Sequence, residues 1–154
     1  MEARTPPEVL REDLTDAVLT AAVCGFRLRG LKFLDVPRGY AVDAAVATLT
    51  RLGCLDEHGD VTEVGRSVSA MPLPAHHGRF LVAVQRAVAA GDVPGAVLRD
   101  AIELLAGLGV AQRLFLPPQG EVSDARRAWS EARCDATRLI LAVRRGKARR
   151  AALR

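Results

Sequence analysis

Apolar side chains recur at helical spacing along most of this chain. Val9, Leu10, Leu14, Ala17, Val18, Ala21 and Ala22 return every three or four positions until Gly25, the pattern of one buried helical face followed by a terminator. Ahead of them Thr5-Pro6-Pro7-Glu8 reads as a helix start: Thr5 as N-cap, prolines where backbone N–H groups need no partner, Glu8 reaching back as in a capping box. A first helix is expected over residues 6–23. Residues 26–40 mix Gly30, Pro37 and Gly39 with Leu28, Leu31, Phe33 and Leu34, which suggests a connecting segment pinned to the core by its aromatic side chains. A second helix follows, with Val42, Ala45, Val46, Leu49 and Leu52 on one face and Gly53 at its end.

Cys54-Leu55-Asp56, a bend through Glu57-His58-Gly59-Asp60, and Val61-Thr62 then read as a short two-stranded hairpin. Thr62 can cap a further helix through Ala70, with Glu63 near its positive end, and Met71-Pro72-Leu73-Pro74 closes it. Helices are expected over 77–90, over 93–108 with Ile102, Leu105 and Leu108 inward, and over 123–146 with Ser123 as N-cap. A loop containing Pro117-Pro118-Gln119-Gly120 precedes the last. The expected fold is mainly α: a winged-helix unit with a short β-hairpin as its wing over residues 1–73, then a small helical bundle over residues 74–154 ending in a basic tail.

Composition narrows this further. Aromatics are 4% of 154 residues, which favours helices packed through small side chains. Cys24, Cys54 and Cys134 are odd in number, far apart and never C-x-x-C, against both a zinc site and a disulfide framework; a reducing cytoplasm fits best. No signal-peptide pattern opens the chain, and Arg or Asp interrupts every apolar run short of membrane-spanning length, so no membrane partner is expected.

Charge changes the picture more than composition does. The net charge is +4, yet from Arg126 onward ten basic residues face only Glu131 and Asp135, while residues 1–125 carry twelve basic and sixteen acidic. On a wheel for the last helix, Trp129, Ala132, Ala136, Leu139, Ile140 and Val143 share an arc of roughly 100°, the expected buried face. Arg138, Arg145 and Arg149 lie within about 40° of Arg127, while Arg126, Arg133 and Arg144 form a second row about 100° to 120° away. Arginine's planar fork suits phosphate oxygens, and rows along a helix can follow a single-stranded backbone. Arg126, Arg127, Arg133, Arg138, Arg144 and Arg145 are the candidate nucleic-acid-binding residues, against the plainer reading of a solvated face. Beyond Gly146 the pattern fails, and 147–154 reads as a frayed tail. Trp129 could stack on a base, but its place in the apolar arc favours packing.

Catalytic signatures are missing. Gly25-Phe26-Arg27-Leu28-Arg29-Gly30 has the spacing of a phosphate loop, but Leu31 stands where the lysine belongs. Asp56-Glu57-His58 sits in the expected turn, and the adjacent His76 and His77 point about 100° apart on a helix, unsuited to one metal. No Gly-x-Ser-x-Gly elbow exists. No catalytic residue, metal or cofactor is expected.

Taken in order, several strings resemble DEAH-box helicases. Thr5-Pro6-Pro7-Glu8-Val9-Leu10-Arg11 resembles the segment leaving their second motor lobe, and Phe33-Leu34-Asp35-Val36-Pro37 resembles the family's F-L-D-x-P. LTRLGCLDEHGDVTEVG, residues 49–65, resembles L-x-x-L-G-A-L-D-x-x-G-x-L-T-x-x-G, and Arg66 completes a G-R. Met71-Pro72-Leu73-Pro74 with Gly78-Arg79-Phe80-Leu81 is similar to the step from winged helix into the ratchet-like bundle, closest to the bacterial HrpB-type branch. The resemblance implies the nucleic-acid-binding accessory region of an ATP-dependent RNA helicase without its motor, with single-stranded RNA or DNA as partner and a cytoplasmic location. Two other readings stay open: a stand-alone winged-helix regulator of duplex DNA, weakened because Arg51 is the only basic residue in or beside helix 41–52, and a module docking on helicase motor lobes of another chain.

Overall fold

The computed structural model describes residues 7–109 and 134–152, with side chains up to 146. Its elements are a 3₁₀ turn at Glu8–Leu10, α1 (Thr15–Val23), a second 3₁₀ turn at Leu28–Gly30, α2 (Gly39–Arg51), α3 (Glu63–Ser69), α4 (Ala75–Ala90), α5 (Ala96–Gly109) and α6 (Asp135–Ala152). The chain forms two compact units, Met1–Ala83 and Val84–Arg154, and the boundary falls within α4. The expected cap at Thr5, the 117–120 loop, the cap at Ser123, and Trp129 and Ala132 of the apolar arc lie outside the described residues.

The first helix is shorter than its periodicity suggests. After the Glu8–Leu10 turn the chain breaks, and α1 restarts where the Asp13 carboxylate accepts the Thr15 amide N–H at 2.9 Å and its hydroxyl at 2.6 Å. Those bonds hold the Asp13 carboxyl below its ordinary range. At the other end Gly25, with φ +82, lets the Phe26 and Gly25 amides return to the Ala21 and Ala22 carbonyls. Gly53 closes α2 the same way, the Cys54 amide reaching Leu49 at 2.9 Å. Val42, Ala45 and Leu49 of α2 pack against Val18, Leu19 and Ala21 of α1, with Val68 of α3, and Ala75 and Val82 of α4, in the same core.

The β-hairpin expected over 54–62 does not form. No strand or sheet exists among the described residues, which are helical wherever they are regular; Leu55 and Val61 make one isolated antiparallel bridge. The backbone explains why. The Cys54 and Leu55 amides both go to the Leu49 carbonyl, closing α2, and Thr62 turns at once into the N-cap of α3, its hydroxyl taking the Gly65 amide at 3.0 Å. The Thr62 amide to Cys54 carbonyl bond at 3.0 Å and the Asp56 amide to Asp60 carbonyl bond at 2.9 Å flank that bridge, and no ladder extends beyond them. The intervening bend is held by the Asp56 carboxylate, which accepts the His58 and Asp60 amides at 2.9 and 2.8 Å.

Long-range polar contacts lock the first unit. The Asp16 carboxylate receives the Ala75 amide at 2.8 Å, so α4 starts two residues before the expected 77, and Arg79 Nε donates to the Leu52 carbonyl at 2.8 Å. Helix packing is close at two glycines. A Cβ on Gly65 would overlap the Cys54 carbonyl oxygen and a Val61 methyl, and one on Gly78 would meet Val68 Cγ1 at 2.9 Å.

In the second unit α5 packs on α6. The inward positions of α5 are Ala101, Glu103, Leu105 and Gly107, whereas Ile102 and Leu108, expected inward, are exposed. On α6 Leu139 and Ala142 are buried, and Ala136, Ile140 and Val143 are half-buried. The helix also runs past Gly146 to Ala152, in place of the expected frayed tail, because residues 147–152 are all good helix formers with no breaker among them.

Two measurements check this packing. Gly65→Ala should cost about 3 kcal/mol or more, since backbone and not a flexible side chain blocks the new methyl, and a urea titration reads it. Asp13→Asn keeps an acceptor but removes its charge, and should cost about 1 kcal/mol at neutral pH. Because the native carboxyl titrates below its unfolded value, that contribution is present above about pH 4 and fades as pH falls through the native pKa, so wild type and variant should converge in acid.

Candidate nucleic-acid interface

Of the six candidate arginines, Arg126, Arg127 and Arg133 lie outside the described residues, and Arg138, Arg144 and Arg145 lie on α6. Seven residues separate Arg138 from Arg145, two helical turns, so they share a face about 10 Å apart along the axis. Arg145 is exposed and has no ion-pair partner among the described residues. Arg138 is half-exposed, with one terminal nitrogen 3.4 Å from Asp135, while its Nε is buried without a hydrogen-bond partner among the described residues. Its guanidinium is therefore only loosely committed.

Arg144 is placed differently. Its Nε donates to Glu103 Oε2 at 2.7 Å, and a terminal nitrogen donates to the Asp100 carboxylate. Glu103 is nearly inaccessible, its side chain 5% exposed, so its charge depends on nearby partners. The bond to Glu103, ahead of the Coulombic attraction of both carboxylates, raises the Arg144 pKa. Periodicity on α6 alone could not reveal this. The available signal was on α5, where Asp100, Glu103 and Gly107 fall on one face, Gly107 giving Leu139 room to approach.

A second basic stretch lies in the first unit, in the segment that the sequence presents as a connector. Residues 26–40 hold Arg27, Arg29, Lys32 and Arg38 against Asp35 alone. Leu28 and Pro37 are buried and Phe33 half-buried, so the segment is anchored, but mainly not by its aromatics: Phe26 and Tyr40 are exposed. Arg27 ties the segment to the 56–60 bend through His58 O at 2.9 Å, the Gly59 carbonyl and Asp60 at 2.6 Å. Arg29 reaches Gly39 O at 3.0 Å and the Asp43 carboxylate. Gly25 here ends a helix and a 3₁₀ turn follows, so the phosphate-loop spacing is coincidental. Asp56 is occupied by its own bend, and the His76 and His77 rings meet edge to face at 4.2 Å. Among the described residues no group of His, Cys, Asp or Glu could hold a metal ion, and no helix is long and apolar enough to cross a membrane.

Comparison with known proteins bears on what this arrangement serves. Residues 45–73, from the middle of α2 through α3, match the family described as "Helicase associated domain (HA2), winged-helix". The chain carries helicase-associated sequence. Over 124 residues it is also 31% identical to ATP-dependent RNA helicase HrpA of Borreliella burgdorferi, covering 79% of this chain but 14% of that protein. The chain thus spans a small part of this relative's length, and the two matches together support a helicase-associated region of the DEAH-box type. The residues matched to the family coincide with the Gly53 closure, the Asp56 bend and the Thr62 cap, the tightest local structure in the first unit.

The two classes of α6 arginine separate in a stability assay. Arg144→Ala should lower the urea midpoint of the second unit by taking a charged partner from the buried Glu103 carboxylate, whereas Arg145→Ala should leave it unchanged within error.

Proposed function

We propose that this chain is the nucleic-acid-binding accessory region of a DEAH-box ATP-dependent RNA helicase, gripping a single strand through the arginine face of α6 while the motor belongs to other sequence. The match of residues 45–73 to the helicase-associated domain carries the reading, and the RNA and ATP dependence are those of the Borreliella burgdorferi relative. The string from Met71 to Leu81 favours the HrpB-type branch. A cytoplasmic location follows from the same reading.

Charge supports the grip. Arg138 and Arg145 offer forks on one face of α6, and Arg126, Arg127 and Arg133 add to the same basic stretch in sequence. Arg144 belongs to the scaffold beneath that face more than to the face itself, because its fork is turned toward Asp100 and Glu103.

Fluorescent single-stranded RNA and duplex DNA titrated at two salt concentrations test the proposal. Single strands should bind best and weaken steeply with salt, and Arg138→Ala with Arg145→Ala should flatten the log–log salt slope by about 0.7 for each phosphate no longer neutralised. Preference for duplex, or binding indifferent to these arginines, would overturn it.

A further inference from the structure

We propose that the 26–40 segment of the first unit is a second contact for single-stranded nucleic acid, separate from α6, with Phe26 and Tyr40 as base-stacking platforms and Lys32 and Arg38 as phosphate partners. This extends the reading proposed above but stands on different residues in a different unit.

Three observations carry it. The first is charge: four cations face one anion in these fifteen residues, while the other residues of 1–83 hold five cations against ten anions. Arg27 and Arg29 are paired with Asp60 and Asp43, so Lys32 and Arg38 carry the charge of this stretch left to attract a polyanion. The second is the aromatic interleaving. Phe26 is 58% exposed and Tyr40 67% exposed, large rings left in water beside cations, and the Arg38 guanidinium donates to the Tyr40 hydroxyl at 2.9 Å. Stacking platforms set among cations are how proteins hold single strands without reading sequence. The third is rigidity. Leu28 and Pro37 are buried, and Arg29 joins the two ends of the segment by bonding Gly39 and Asp43, so little order must be gained on binding.

The segment also borders a cavity of about 270 Å³, walled by Val18, Leu28, Val42 and Val46, with Phe26 and Arg27 at its lining. Its apolar wall continues the stacking surface inward from Phe26. The cations divide by role: Arg27 and Arg29 are bound to Asp60 and Asp43 and hold the surface together, whereas Lys32 has no partner among the described residues and Arg38 is bound to the Tyr40 hydroxyl.

The test uses the full chain, short oligouridylate and oligothymidylate probes, and three double variants whose helicity is first matched to wild type. Phe26→Ala with Tyr40→Ala should weaken single-strand binding about tenfold at unchanged salt slope. Lys32→Ala with Arg38→Ala should reduce the slope by about 0.7 for each phosphate left without its cation. Photo-crosslinking from 4-thiouridine should recover a peptide from residues 26–40. If both variants bind like wild type and no crosslink falls in the segment, the second contact is overturned, and weakening confined to Arg138→Ala with Arg145→Ala leaves the α6 reading standing. Weakening confined to the first-unit variants sinks the α6 reading and keeps this one. If wild type binds neither probe, both are wrong, and the exposed rings belong to a protein-facing surface.

Discussion

The first unit depends on how closely α3 can sit on the turn that ends α2. Gly65 lies where any side chain would run into the Cys54 carbonyl, and that same carbonyl accepts the Thr62 amide at 3.0 Å. The Thr62 hydroxyl, shared between the end of α2 and the first turn of α3, fastens the two helices through a single side chain. From there Val68 is pressed against Gly78, which fixes α4, while Asp16 supplies the missing acceptor at the start of α4. One close backbone approach thus sets the relative positions of four helices. The stretch matched to the helicase-associated domain spans much of this arrangement.

Arginine serves two purposes in this protein, and geometry separates them. Arg27, Arg29, Arg79 and Arg144 turn inward to carbonyls or carboxylates and act as struts. Their forks can satisfy several acceptors at once, in a planar geometry that lysine's single ammonium does not offer. Arg38 and Arg145, with Lys32, face water instead. Total charge is a poor guide to binding for this reason, because several of the cations that make a stretch look basic are neutralised within the fold. Those left over mark the surfaces proposed to meet a polyanion, one in each unit.

Much of the fold is legible in the sequence alone. The apolar faces of α1 and α2, their glycine terminators, the Thr62 cap and the mainly helical class all follow from spacing and from residues with narrow backbone preferences. The order of strings from Phe33 to Leu81 points to the same helicase-associated family that the matched residues 45–73 and the relative support. What fails is local pattern read without competition for hydrogen bonds. The 54–62 segment has the turn residues of a hairpin, but its amides close one helix and its threonine opens another. On α5, Ile102 and Leu108 fit a plausible apolar arc, yet the face that meets α6 is chosen by Gly107 and the Glu103–Arg144 pair.

The sequence by itself determined where α1 and α2 end and where α3 begins, since caps, glycines at positive φ and apolar spacing are properties of a few neighbouring residues. It determined the separation of acidic and basic stretches as well. Only the tertiary structure decided which charges remain available. An ion pair such as Arg144 with Glu103 joins residues 41 positions apart, and Arg27 finds Asp60 across 33. No periodicity encodes such pairings, because they arise when separate helices pack and a buried carboxylate must find the nearest fork.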